Sequence, residues 1–370
     1  MQIPPFKLER YFAKYEFKVK YLLSPSDCEG LSMEELLRMA SPESLELWQE
    51  LRLGYTESPG HPLLRAEVAG LYRNLPAEQV VIAAPEEAIF IAMHTLLTAG
   101  DHVIAISPAY QSLHEIALSI GCRLTHWTLE LDENGWQLDL DRLANSLSQR
   151  TRLMVINFPH NPTGYLPSRE ELDAIIELAR KSGVYVFSDE MYRLLEYNPA
   201  MRLPPVCDLY EKGISLSGLS KAFALPGLRV GWLATQESDL IERWLSFKDY
   251  TTICNSAPSE ILGIIALQAR ESILSRNRGI VQGNLGVAEA FFAQRDDRFA
   301  WAMPMAGSVA FPRWLGHSSV ESFCQQMLDQ QGVMIVPGSI FDYPGKHFRI
   351  GLGRKNFAEA LERVGDQLIS

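Results

Sequence analysis

Between residues 80 and 235 the chain alternates short apolar runs with longer amphipathic ones, and that alternation leaves few folds open. Candidate strands are Val80 to Ala84, His102 to Ser107, Arg123 to Leu129, Arg152 to Phe158, Val184 to Ser188, Ile214 to Leu219 and Arg229 to Thr235. Helical spacing fills Glu86 to Leu97, Gln111 to Ser119 and Ser168 to Ser182, the last opening on a Ser168-x-x-Glu171 capping box. Strands interleaved with helices pair in parallel through helical crossovers, and both faces of the sheet are then covered. The expected fold class is α/β: a large domain with a mostly parallel seven-stranded sheet between helices, plus a smaller α+β domain.

A chain of 370 residues is long enough for two domains, because single cores stop growing at about 250 to 300 residues. After residue 240 the pattern becomes a long helical region from Ser256 to about Ala293. Candidate strands follow at Ser308 to Phe311, Val333 to Val336 and His347 to Leu352, with one helix between the first two. The expected division is a large domain over 41–275 and a small one built from 1–40 and 276–370. Residues 1–40 read as an ordered N-terminal arm, with Ser32 and Glu35 placed to form a second capping box.

The formal charge of −11, with no block of Lys or Arg, argues against nucleic acid or an anionic membrane as partner and leaves small molecules. The five cysteines (Cys28, Cys122, Cys207, Cys254, Cys324) have no C-x-x-C spacing, which suits neither a disulfide framework nor a zinc cluster. No metal is expected. The N-terminus carries charges throughout and lacks the apolar core of a signal peptide or a membrane span, so a cytoplasmic location is expected.

Chemistry-bearing residues gather at predicted strand ends, where open α/β sheets bind their ligands. Asn157-Phe158-Pro159-His160-Asn161-Pro162-Thr163-Gly164 follows one strand, Ser188-Asp189-Glu190-Met191-Tyr192 follows the next, and Lys221 follows a third. Each has a plain structural reading as well: Asn-Pro-Thr-Gly is a turn signal, a carboxylate after a strand caps helices, and a strand-end lysine is ordinarily solvated. Upstream, Gly54-Tyr55-Thr56-Glu57-Ser58-Pro59-Gly60 is a loop of turn formers carrying an aromatic hydroxyl.

The order Asn161, Asp189, Tyr192, Lys221, Arg229 on successive strand ends resembles the class I and II aminotransferases of the pyridoxal-phosphate fold-type I superfamily. The stretch from Gly218 to Gly231, GLSKAFALPGLRVG, is similar to that family's lysine site throughout, and the likeness runs from the Tyr55 loop to Arg349. The resemblance implies pyridoxal 5′-phosphate as cofactor and Lys221 as the Schiff-base lysine that also shuttles the substrate Cα proton. It implies Asp189 against the ring nitrogen, Asn161 and Tyr192 on the phenolic oxygen, and Tyr110 stacked on the ring. Arg229 and Ser220 would hold the phosphate, with Glu86 contributing mainly its backbone N–H. Tyr55 would reach the phosphate from a neighbouring subunit, which implies a homodimer with shared active sites. Arg349, with Asn161 beside it, would grip the substrate carboxylate.

The implied activity is amino transfer between an amino acid and a 2-oxo acid. A lyase or cyclase reaction on the same fold is the alternative, because the arm around Ser26-Asp27-Cys28-Glu29 resembles a capreomycidine-synthase-type branch. Aminotransferase-like effector domains of transcription regulators are a third class, disfavoured by the short stretch ahead of the Tyr55 loop. Two positions depart from the family pattern. Ala84-Pro85-Glu86 replaces a Gly-rich phosphate loop, and Pro85 has no N–H to give. Gly218 stands where many relatives carry a phosphate-binding serine, and Ser217 or Ser220 would have to compensate. His160, beside Asn161, reads as a structural histidine, and Arg354 as a solvated charge.

Overall fold

The computed structural model describes residues 2–369. Its centre is a seven-stranded sheet: β1 (Val80–Ala83), β2 (His102–Ser107), β3 (Arg123–Thr128), β4 (Thr151–Asn157), β5 (Tyr185–Asp189), β6 (Gly213–Gly218) and β7 (Gly231–Thr235). The spatial order is β1-β7-β6-β5-β4-β2-β3, so all seven expected strands enter one sheet. Strands β3, β2, β4, β5 and β6 run parallel, and β7 is antiparallel to both β6 and β1. The reversal at β7 follows from its connection, which holds only a tight turn and no crossover helix. Leu219 N–H donates to Val230 O at 2.9 Å and Leu225 N–H to Leu219 O at 2.9 Å, closing that connection on itself.

Strands β1, β5 and β7 are buried along their whole length, as expected where helices cover both faces. Edge strand β3 instead exposes Arg123 and His126, charges that discourage pairing with another chain. Helix α1 (Lys7–Tyr15) precedes the sheet, and α2 (Pro85–Leu96), α3 (Ser112–Ile120) and α4 (Arg169–Ser182) cross between strands. Both expected capping boxes are present, Ser32 with Glu35 and Ser168 with Glu171.

The helical region expected from Ser256 is two helices, α5 (Ala257–Gln268) and α6 (Arg270–Ala293), broken at Ala269. The first is buried nearly all round and the second along one stripe only. Arg270 Nη1 donates to the Leu267 carbonyl at 3.1 Å, satisfying an acceptor at the end of α5. Beyond them, β8 (Val309–Ala310), β9 (Val336–Pro337) and β10 (Phe348–Gly351) form a small antiparallel sheet in the order β8-β10-β9. The arm joins this part: Tyr21–Leu22 pairs in parallel with Val333–Met334. Among the described residues no helix is long and apolar enough to cross a membrane.

Candidate active site

The register of the sheet brings the candidate residues together. Asn157 at the end of β4 pairs with Asp189 at the end of β5, and β6 ends two residues beyond Leu216, the partner of Asp189. All three ends open into a cavity of about 560 Å³ that also receives α1, the arm and β10. Lys221, Asp189, Asn161, Tyr192, Tyr110, Arg229, Ser220, Glu86 and Arg349 all line it. Tyr55 does not. It is 91% exposed on the outside of the chain.

Lys221 Nζ donates to Ser26 Oγ at 2.8 Å. Burial lowers its pKa below the ordinary lysine value, against the pull of nearby Asp27, so the amine is more readily free of its proton. Asp189 closes β5 with its carboxylate buried and accepting the Met191 N–H at 3.1 Å. Burial pushes its pKa up to about 6, which marks a carboxylate placed where a cationic partner would restore its charge. Tyr192 is 3% exposed, and its ring packs on Gly307, where a Cβ would come within 3.3 Å of Tyr192 Cδ1. Gly307 has φ of +80°, so a side chain there is disfavoured twice over.

Arg349 is 1% exposed and has no carboxylate partner among the described residues. Its Nη1 donates to Asn161 Oδ1 at 3.1 Å and its Nη2 to Ser24 O at 3.0 Å, while Nε stays unpartnered. A buried guanidinium without a counter-ion is costly unless an anion completes it. The Ser220 hydroxyl is likewise buried without a partner on the cavity wall. Two orphaned donors, one near the lysine and one on β10, fit a ligand with two separate anionic groups.

Arg229 sits in the left-handed region at φ 56°, just past the Pro226–Leu228 turn, and donates to Pro226 O at 3.0 Å. A non-glycine residue there costs on the order of 1–3 kcal/mol, strain that proteins retain mainly at functional sites. The expected strand from Arg229 therefore starts two residues later, at Gly231. Gly218 has a packing reason. A Cβ there would lie 2.9 Å from Gly231 Cα and 2.9 Å from Val230 O, so the close approach of β6 and β7 excludes a serine.

Glu86 lines the cavity. Its carboxyl accepts from Ser112 Oγ at 3.2 Å, on the α3 side, and burial pushes its pKa up to about 7. Tyr110 keeps its place beside the cavity, its ring 4.8 Å from that of Phe6 and its hydroxyl donating to Glu9 at 2.9 Å. His160 does not line the cavity. Its Nδ1 meets Thr163 Oγ1 at 2.7 Å, and burial lowers its pKa to about 3, leaving a neutral structural ring. Arg354 is not solvated: it pairs with Asp27 at 3.0 Å and pins the arm.

Sequence reasoning gave no role to Asn157. Asn157 links the strand ends, its Nδ2 donating to Asp189 O at 2.9 Å and its Oδ1 accepting the Asn161 N–H at 2.9 Å. A polar residue at the buried end of an apolar strand was the available signal. The arm contributes a whole wall, including Glu9, Phe12, Glu16, Ser26 and Asp27. Which arm residues face the cavity is not encoded locally, because these contacts form only when the arm crosses to β10.

The comparisons agree with this geometry. Residues 20–364 match the family model for aminotransferase class I and II. Capreomycidine synthase of Streptomyces vinaceus is 30% identical over 371 residues, spanning 99% of this chain and 94% of its own length. Among solved structures, a PLP-dependent aminotransferase from Streptococcus suis superposes with a TM-score of 0.92 at 30% identity, covering 100% of this chain and 97% of that one. The PLP-dependent cyclase OrfR superposes with a TM-score of 0.92 at 25% identity, covering 100% and 98%.

Proposed function

This chain belongs to the class I and II aminotransferases, pyridoxal-phosphate-dependent enzymes, and from that premise we propose that it moves an amino group between an amino acid and a 2-oxo acid. The observation that carries the reading is the buried Arg349, with no carboxylate partner among the described residues, facing the same cavity as the Lys221 amine and the Asp189 carboxylate. When bound, pyridoxal phosphate supplies a pyridine ring that stabilises negative charge at the substrate Cα.

The chain's own residues do the rest. Lys221, its pKa lowered by burial, would hold the cofactor and, when free of it, take the Cα proton at Nζ. Asp189 would offer the cofactor's ring nitrogen a buried negative partner. Asn161 and Tyr192 would donate to its phenolic oxygen. Arg229, the Ser220 hydroxyl and the Glu86 N–H would receive its phosphate. Arg349 binds the substrate carboxylate through its planar fork, with Asn161 fixing its orientation.

The arm adds a preference among substrates. Glu9, Glu16 and Asp27 line the cavity, and of these three only Asp27 has an ion-pair partner among the described residues, Arg354. Burial and the neighbouring Asp27 push Glu16 above its ordinary pKa, as expected for acids crowded together. A donor whose side chain ends in a carboxylate meets like charge there. Aspartate and glutamate are therefore expected to be poorer donors than neutral or cationic amino acids, on the order of tenfold or more in kcat/KM. A donor series on the purified enzyme checks this, and a preference for the acidic pair would contradict it.

The reading also includes a homodimer. Leu53, Tyr55, Tyr250 and Ile253 are exposed at 86%, 91%, 90% and 51%, and the two segments are joined by Thr56 Oγ1 donating to Asn255 O at 3.1 Å. Large apolar side chains gathered on one face suit burial against a second copy. Sedimentation is expected to give twice the chain mass of 41.7 kDa.

A second reading, elimination followed by ring closure, is favoured by the likeness to capreomycidine synthase over nearly the whole chain and by the arm reaching Lys221. Product analysis separates the two. A 2-oxo acid formed from the donor supports amino transfer, whereas a cyclic amino acid formed with no 2-oxo acceptor supports cyclisation.

A further inference from the structure

The segment 23–28 enters the cavity under tight constraint. Gly351 N–H donates to Leu23 O at 2.7 Å, Arg349 Nη2 to Ser24 O at 3.0 Å, and Ser308 Oγ to Ser26 O at 2.7 Å. The neighbouring backbone is shaped to admit it: a Cβ at Gly351 would fall 1.8 Å from Pro25 O, and one at Gly353 would fall 2.4 Å from Asp27 O. Arg354 then ties Asp27 at 3.0 Å. Ser26, 9% exposed, is thus fixed from both sides, and its hydroxyl is the single hydrogen-bond partner of Lys221 Nζ among the described residues.

We propose that Ser26 is a positioning residue for Lys221, its hydroxyl accepting the hydrogen bond of the amine whenever that amine is free of the cofactor and holding it in place for proton transfer. The inference rests on the reading of Lys221 as the imine-forming amine. A hydroxyl suits this task better than a carboxylate would. It orients the amine while stabilising the ammonium form less than a carboxylate would, so the amine remains a usable base. Burial raises the pKa of Tyr192, opposed by Arg349 and then by the Ser26 hydroxyl.

The other charges facing Lys221 are Asp27 from the arm, Glu9 from α1 and Asp189 from β5, which favour its ammonium, and Arg349 from β10, which opposes it with burial. Glu16 of the arm lies within their reach. Against that background, removing the Ser26 acceptor weakens the ammonium and shifts the amine's titration to lower pH.

The test uses Ser26→Ala and Ser26→Cys in the full chain. Cysteine keeps the shape but accepts hydrogen bonds poorly. Two measurements are made: kcat and KM for the best donor, and the pH dependence of the rate at which the cofactor-stripped chain develops its visible band on adding pyridoxal phosphate. In both variants kcat is expected to fall on the order of tenfold with KM little changed. The acidic limb of band formation is expected to move to lower pH. A kcat within twofold of the unmodified enzyme and an unmoved limb in Ser26→Ala overturn the proposal. So does a Ser26→Cys variant that behaves as unmodified, because shape alone would then suffice. Band formation needs no substrate, so failure of the proposed reaction leaves this result readable by itself.

Discussion

Lys221→Ala is expected to lower turnover on the order of 10⁴-fold or more, since in the proposed mechanism one residue both attaches the cofactor and moves the substrate proton. No other lysine lines the cavity among the described residues, so no second amine can replace it. The resting, cofactor-loaded protein is expected to lose its visible band with the imine that produces it. Stability should not suffer. Burial disfavours the Lys221 ammonium, so deleting it removes a desolvation cost for the loss of one hydrogen bond, to Ser26. A melting temperature equal to or above that of the unmodified protein, together with the lost band, is the expected pair of observations. Retention of the band contradicts the role of Lys221.

The second large effect is expected at Asp189. Asp189→Asn keeps the shape of the side chain, and Asn Oδ1 is still able to accept the Met191 N–H that Asp189 accepts at 3.1 Å. What it loses is charge. A ring nitrogen facing a neutral amide no longer has a reason to hold its proton, and the electron sink weakens. The expected loss in kcat is on the order of 10²- to 10³-fold, comparable to removing one preorganised electrostatic partner elsewhere. Because burial already pushes the Asp189 carboxyl up to about 6, the substitution also relieves a buried acid and is not expected to unfold the chain. Steady-state kinetics with one good donor decides it, and a kcat within threefold of the unmodified enzyme contradicts the assignment.

Both effects concern residues that were legible in the sequence, for a physical reason. Asp189 closes one buried apolar strand and Lys221 follows the end of another, and a charge at such a place is unusual enough to stand out. The seven strands were legible on the same ground, because runs of buried strand residues separated by amphipathic helices admit essentially one layered arrangement. Contacts made at long sequence separation were not legible. The Lys221–Ser26 hydrogen bond spans 195 positions and the Arg349–Ser24 bond 325, and no local pattern encodes either.

Glu86 shows the same limit. The partner of its side chain, Ser112, lies 26 positions away, and nothing local to the helix start names it. Gly218 is the reverse case. It looked like a lost phosphate ligand, and the approach of Gly231 shows it to be a steric requirement of the β6–β7 pairing.

The central claim is amino transfer, and one single-turnover measurement tests it most directly. The cofactor-loaded enzyme is mixed with a good amino donor in the absence of any 2-oxo acid. The account predicts about one equivalent of 2-oxo acid per protomer with loss of the visible band, and recovery of the band when a 2-oxo acid is then added. Ammonia or a cyclic amino acid produced over many turnovers, with the band retained and no 2-oxo acid formed, would contradict it.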